Sequence, residues 1–146
     1  MQYRNTFRIE APVERIWELL SDPSRLPEWN VVFDRVEDAT GRLDEVGTTY
    51  TQVKRVAGIE LKGDWEITEV EPLRRRRFQG TPAGCATCTG SEMFEAVEGE
   101  TDYTVEMDYT FRGGPVGKAL GRLFGRSYFE RVVERNIQGL RHILEA

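Results

Sequence analysis

The chain of 146 residues is long enough for one domain whose hydrophobic core needs neither disulfides nor metals. Its net charge of −5 argues against general affinity for nucleic acid or anionic membranes, although it leaves room for a local basic patch. No apolar run approaches the roughly 20 residues that cross a bilayer, and residues 1–10 lack the apolar centre of a signal peptide. We therefore expect a cytoplasmic protein with a single domain over residues 1–146.

The first thirty residues predict one strand and two short helices. Residues 2–10 alternate apolar and polar side chains, as a strand with one buried face does. Pro12 suits the start of a helix whose apolar residues fall on one side, namely Val13, Ile16, Trp17 and Leu20. Ser21 or Asp22 can cap a second short helix, which stops near residues 27–30.

After residue 30 the pattern changes to period two, interrupted by turn residues. It predicts six strands at residues 31–37, 48–56, 59–70, 74–81, 85–97 and 101–112. The last strand alternates most regularly, with one face formed by Tyr103, Val105, Met107, Tyr109 and Phe111. Because the connections are short, we expect neighbouring strands to form hairpins in an antiparallel sheet.

Residues 113–146 predict one long amphipathic helix, since their apolar residues recur at gaps of three and four after Pro115. A sheet with one apolar face and a long helix laid across it belongs to the α+β class. Gly117, Gly121 and Gly125 would lie on one face of this helix, each at a cost of about 1 kcal/mol relative to alanine. Close packing, fraying, a flexible lid or space for a ligand would each explain them.

Several segments carry a resemblance to a known family: residues 9–17, with the sequence IEAPVERIW, residues 20–30, with LSDPSRLPEWN, and the C-terminal helix. The chain resembles the SRPBCC or START-like helix-grip superfamily, which includes the birch-pollen-type allergens, and within it the bacterial polyketide cyclase/dehydrase-like branch. The resemblance implies a curved seven-stranded antiparallel sheet that grips the long C-terminal helix, with two short helices after the first strand. It further implies a cavity between sheet and helix, partly closed by the segment around Trp29.

The residues expected to face this space are mostly aromatic or aliphatic. Such a set is either ordinary core or an apolar pocket in which tyrosine hydroxyls orient a hydrophobic ligand. A shift of one residue in strand phase would turn each side chain to the other face. The candidate ligand-binding residues are Trp29, Tyr50, Trp65, Ile67, Arg76, Phe78, Met107, Tyr109, Leu120, Phe124 and Tyr128.

Four consecutive arginines at residues 74–77 form the only dense run of charge. On a strand they would divide two and two between the faces. We favour a position at the rim of the sheet, where all four stay hydrated. If Phe78 points inward, Arg76 does too, and its buried guanidinium then needs a partner such as Glu66, Glu92 or a ligand carboxylate.

Catalytic and metal sites are not evident. Cys85 and Cys88 would point to opposite faces of a strand, and His142 is the only histidine, so a zinc site would lack ligands. Tyr50, Tyr109, Glu106 and Asp108 are residue types suited to acid/base chemistry, but they form no recognisable catalytic set. We expect no cofactor.

Three functions remain open for this fold, because fold alone does not determine function. We favour binding of a small hydrophobic, aromatic or lipid-like ligand, without nucleic acid or integral membrane association. The alternatives are an enzyme of the polyketide cyclase or dehydratase type, and a protein-interaction module whose cavity is filled. A buried pair of tyrosine or arginine with a carboxylate inside the pocket would favour the enzyme. The sequence is compatible with a monomer or a homodimer.

Overall fold

The computed structural model describes residues 1–84, 86–111, 113–123 and 125–145, and within them the side chains at all positions but 56, 83, 116, 120, 121 and 123. The strands are β1 (Gln2–Ile9), β2 (Arg35–Glu37), β3 (Thr49–Val56), β4 (Ile59–Glu71), β5 (Arg75–Gly80), β6 (Ala86–Val97) and β7 (Glu100–Phe111). The helices are α1 (Val13–Ser21), α2 (Leu26–Trp29), α3 (Gly114–Leu123) and α4 (Arg126–Leu144), with short 3₁₀ turns at Pro23–Arg25 and Pro82–Gly84.

The seven strands form one antiparallel sheet in the order β1-β7-β6-β5-β4-β3-β2. Strands β2 to β7 therefore follow one another as a meander, and β1 forms the other edge of the sheet by pairing with β7. One irregularity interrupts the β4–β5 pairing, where the register shifts between Ile67 and Glu69. The predicted α+β helix-grip fold is confirmed.

Alternation along β7 decides which face of the sheet is buried. Tyr103, Val105 and Tyr109 are each less than a tenth exposed, whereas Asp108 and Thr110 face solvent. Leu140 and Ile137 of α4 are buried with these side chains in one hydrophobic core. The predicted phase of this strand is thus confirmed, and it directs the aromatic side chains of the sheet toward the helices.

The N-terminal helices follow the sequence prediction closely. Val13, Ile16, Trp17 and Leu20 of α1 are all buried. The carboxylate of Asp22 accepts a hydrogen bond of 2.9 Å from the backbone N–H of Ser24, which caps the turn that leads into α2.

The C-terminal segment departs from the prediction, because two helices replace the single long one. Gly125 has an extended conformation (φ −74°, ψ −174°) and serves as the N-cap of α4. Its carbonyl accepts hydrogen bonds from the backbone N–H groups of Tyr128 and Phe129, at 3.0 and 3.2 Å. Because glycine is a weak helix former, the backbone can leave the helix at Gly125. The apolar period continues through this position, so the sequence pattern does not show the break.

The strand predicted at residues 31–37 is also shorter than expected. The backbone N–H of Val31 donates to the side chain of Asn136 on α4, and that of Val32 donates to Asn30. These bonds take the first residues away from the sheet, and pairing with β3 begins only at Arg35.

Each edge of the sheet has few free backbone groups for pairing with another strand. One edge strand is hydrogen-bonded by side chains, and the other is short. At β1, Arg126 and Arg141 of α4 donate hydrogen bonds of 2.9 Å to the carbonyls of Gln2 and Arg8. At the opposite edge, β2 has three residues. In the described part of the chain, no helix combines the length and the apolar character needed to cross a bilayer.

Candidate functional site

A cavity of about 360 Å³ lies between the inner face of the sheet and helices α2 and α4. This volume falls within the range of small-molecule sites in proteins. Strands β3 to β7 supply one wall, and α4 supplies the other with Val133, Ile137 and Leu140. At one end the lining includes Val32 and Leu61, each 38% exposed, so this end forms the mouth.

Nine of the eleven candidate residues line this cavity: Trp29, Tyr50, Trp65, Ile67, Arg76, Phe78, Met107, Tyr109 and Tyr128. Leu120 lies on α3 but its side chain is not among those described, and Phe124 lies outside the described residues. The structure therefore brings the nine together around one space. Their contact with a ligand stays a prediction.

Aromatic rings form much of the wall, and glycines on neighbouring strands make room for them. The rings of Trp65 and Phe78 meet edge to face with centroids 5.7 Å apart. A Cβ atom at Gly80 would lie 2.5 Å from the Trp65 ring, and one at Gly90 would lie 2.5 Å from the Phe78 ring. Glycine at these two positions lets both rings lie flat across the adjacent strand.

Arg76 is buried, which corrects the favoured prediction that the whole arginine run is hydrated at the rim. Its side chain is 6% exposed and forms an ion pair of 2.7 Å with Glu92 on β6. Arg75 and Arg77 point to the other face, and Arg74 is exposed in the turn before β5. One arginine of four therefore enters the core, rather than two, because β5 begins only at Arg75.

The guanidinium of Arg76 joins three parts of the chain. Its Nε and Nη2 donate to Oε1 of Glu92 at 3.0 and 2.7 Å. Its Nη1 donates to the carbonyls of Leu20, at the end of α1, and of Leu43, at 2.9 and 3.1 Å. The hydroxyl of Tyr103 donates to the other oxygen of Glu92. Arg76, Glu92 and Tyr103, which we call the polar cluster, all line the cavity.

Burial and the neighbouring Glu92 together shift the pKa values of Arg76 and Tyr103. Burial alone would lower the pKa of Arg76, but the charge and hydrogen bonds of Glu92 outweigh it and hold the pKa above its usual value. Burial raises the pKa of Tyr103 well above that of a free tyrosine, and Glu92 adds to this effect. Arg76 therefore stays positively charged, and Tyr103 stays a neutral hydrogen-bond donor, at physiological pH.

Two of the acid/base candidates face away from the cavity. Asp108 is exposed, and Glu106 pairs with Arg4 across the outer face of the sheet at 2.5 Å. Tyr109 does line the cavity, and its hydroxyl donates to the sulfur of Met107 at 3.2 Å. Neither carboxylate can act on a molecule inside the cavity.

Cys88 is expected to be unreactive in the folded protein. It is buried, and burial raises the pKa of its thiol to about 12. Because the thiolate is the reactive form, about one thiol in ten thousand would be ionised at pH 8. In a Cys85→Ser variant, alkylation by iodoacetamide at pH 8 should be very slow in buffer and fast in urea. Equal rates in both solvents would contradict the assigned burial.

Trp29 is held against α4 by a close backbone contact. A Cβ atom at Gly139 would lie 2.6 Å from the carbonyl oxygen of Trp29. Two residues later, the N–H of Val31 bonds to Asn136, one helical turn earlier on α4. Trp29 itself is 7% exposed and belongs to the hydrophobic core as well as to the cavity wall.

Sequence reasoning missed several residues of the cavity. Tyr103 lies on the predicted inner face of β7, so that alternation contained the signal for it. Glu92 was one of several possible partners of Arg76, and pairing of β5 with β6 places it directly opposite. Phe129 stacks on Tyr109 with ring centroids 4.1 Å apart. Gly139, which contacts the backbone of Trp29 outside the cavity lining, carried no distinguishing pattern.

The sequence profile of a known family matches residues 2–145, that is, nearly the whole chain. The family is described as polyketide cyclase/dehydrase and lipid transport. A search of curated protein sequences finds no match.

Solved structures of the same fold are numerous. The protein TTHA0849 from Thermus thermophilus is 21% identical with a TM-score of 0.74, and the match covers 97% of this chain and 95% of that one. Ms6760 from Mycobacterium smegmatis is 23% identical with a TM-score of 0.69, covering 99% and 90%. DynU16, from the dynemicin biosynthetic locus, is 21% identical with a TM-score of 0.64, covering 95% and 46%.

Proposed function

Because the chain belongs to the polyketide cyclase/dehydrase and lipid transport family, we propose that it binds a small hydrophobic or aromatic molecule in the cavity between the sheet and α4. Both activities in the family description concern molecules with large apolar surfaces. The ligand would enter through the end marked by Val32 and Leu61 and contact the aromatic wall.

The observation that carries this proposal is the cavity itself. A protein interior is normally packed without voids larger than a water molecule. A space of about 360 Å³ therefore supports a ligand that fills it. Its walls are mainly apolar, and burial of apolar surface stabilises a bound ligand by roughly 25 cal/mol per Å² before the costs of association. The same cavity weighs against an interaction module with a filled core.

The polar cluster favours an enzyme as the second candidate. A carboxylate paired with an arginine and a tyrosine inside the pocket is the feature that a cyclase or dehydratase would need. However, Glu92 already accepts three hydrogen bonds from Arg76 and Tyr103. Glu92 therefore has little capacity left to accept a proton from a substrate, and Tyr103, whose pKa is raised by burial, stays protonated and cannot act as a general base. Binding without turnover is therefore the better-supported function.

The proposal predicts that the purified protein binds a neutral apolar dye such as N-phenyl-1-naphthylamine, with increased fluorescence. Ala86, which is buried in the cavity wall, offers a way to fill the space from β6. We expect Ala86→Trp to lower the affinity for the dye at least tenfold. Thr87→Trp on the next, outward-facing position is the matched control and should bind like the wild type.

Native mass spectrometry of the purified protein, followed by solvent extraction, would identify any molecule that is carried along. Incubation of that molecule with the protein then separates the two candidates, because a binding protein returns it unchanged and an enzyme converts it. A wild-type protein that neither retains a small molecule nor binds the dye would refute the proposed function.

A further inference from the structure

The cavity is chemically different at its two ends. Pairing of β6 with β7 places Ala86 opposite Phe111 near the mouth and Glu92 opposite Val105 six residues further in. At about 3.3 Å per residue, these two levels are roughly 20 Å apart along the strands. Apolar side chains line most of the mouth and the middle, although Gln52 and Lys54 lie beside Gly63 and Leu61 at the mouth. Arg76 and Glu92 lie at the inner level.

The inner end is closed. The two carbonyls that bind Nη1 of Arg76 belong to Leu20 and Leu43, which are each 1% exposed. The end of α1 and the segment around Leu43 therefore cover the polar cluster from outside. A molecule that enters at Leu61 meets the cluster last.

The polar cluster keeps some hydrogen-bonding capacity. A guanidinium has five N–H donors, and the bonds to Glu92, Leu20 and Leu43 use four of them. One oxygen of Glu92 accepts a single bond, from Tyr103, although a carboxylate oxygen can accept two. Within the described residues, the cluster can thus still offer a ligand one donor and one acceptor.

Charge balance restricts which group can use this capacity. The positive charge of Arg76 is matched by Glu92 at 2.7 Å, so an incoming carboxylate would gain little from the arginine and be repelled by the glutamate. A neutral hydroxyl or carbonyl pays no such penalty and can use both the donor and the acceptor. This reasoning replaces the hypothesis that Arg76 binds a ligand carboxylate.

We infer that the ligand is an apolar, ring-containing molecule with a neutral hydroxyl or carbonyl group at one end, and that this end enters first and bonds to the polar cluster. The inference rests on the proposed function and specifies the ligand class for the same cavity. Arg76 and Glu92 together are the specificity determinants, since the pair accepts a neutral polar group and disfavours an anion.

Displacement of N-phenyl-1-naphthylamine by three compounds of one shape tests the inference: naphthalene, 2-naphthol and 2-naphthoate. A wholly apolar pocket would prefer naphthalene, because an unpaired buried hydroxyl is costly. With a polar closed end, 2-naphthol should bind about fivefold or more tightly than naphthalene, and 2-naphthoate should bind most weakly.

Glu92→Gln is the decisive variant, because it leaves the charge of Arg76 unmatched with little change in shape. The preference for 2-naphthol over 2-naphthoate should fall at least tenfold or reverse. Glu106→Gln makes the same chemical change on the outer face of β7 and should keep the wild-type preference. If Glu92→Gln is too unstable to purify, the order of the three compounds on the wild type decides.

The outcomes separate the two proposals. A wild type that binds the dye but prefers naphthalene or 2-naphthoate, or that releases the dye to none of the three, overturns the inference and leaves the proposed function standing. An unchanged preference in Glu92→Gln overturns it as well. A wild type that does not bind the dye overturns both.

Discussion

Replacing Arg76 with methionine is expected to lower the free energy of unfolding by about 3–5 kcal/mol. The variant would leave the carboxylate of Glu92 buried without its partner, and the carbonyls of Leu20 and Leu43 without their donor. Urea denaturation followed by circular dichroism measures the change.

A double variant distinguishes the cost of an unpaired charge from the value of the pair itself. Because an apolar pair can replace a buried ion pair, Arg76→Met combined with Glu92→Leu should recover the part of the lost stability that the unpaired carboxylate causes. The part caused by the carbonyls of Leu20 and Leu43 should remain lost. The matched control is Arg77→Met at the next, exposed position, whose nearest carboxylate is that of Glu69 at 3.9 Å. A single variant at position 76 as stable as that control would contradict the assigned role.

Gly139→Ala is expected to destabilise the protein by about 1–3 kcal/mol, although alanine is the better helix former. The added methyl group would lie 2.6 Å from the backbone oxygen of Trp29, and backbone atoms cannot move aside as a flexible side chain can. Either α2 or α4 must shift, and in both cases the position of Trp29 relative to α4 changes. We therefore also expect weaker binding of the apolar dye.

Gln138→Ala is the matched control for the effect of alanine on the helix, because position 138 is the neighbouring, exposed residue of α4. It should be as stable as the wild type and bind the dye equally well. A Gly139→Ala protein that is more stable than the wild type would show that the contact between α2 and α4 yields easily.

The sequence predicted the sheet well because its strands have one wet face and one dry face. Alternation along β7 identified Tyr109 as inward-facing, and short turns between strands indicated antiparallel pairing. Residue pairs that lie far apart along the chain were less predictable. The backbone N–H of Val31 donates a hydrogen bond to the side chain of Asn136, more than a hundred residues later, instead of pairing in the sheet. No local sequence pattern indicates such a bond.

In the candidate site, too, local patterns were predictable and contacts between distant parts of the chain were not. Aromatic residues such as Trp65 and Phe78 were recognisable from their phase, whereas the environment of Arg76 depended on where β5 begins and on which side chains lie across the strands. The sequence named Glu92 only as one of several partners. The break at Gly125 was hidden because the apolar period continues through it, so pattern alone favoured one helix where the backbone forms two.

The two edges of the sheet also bear on how the protein behaves at high concentration. A free strand edge is a template to which another chain can add a strand, and such addition starts aggregation. Here Arg126 and Arg141 donate hydrogen bonds to carbonyls of β1, and β2 has only three residues that another strand could pair with. The arginines of α4 thus help to keep neighbouring molecules from joining their sheets while the same helix encloses the cavity.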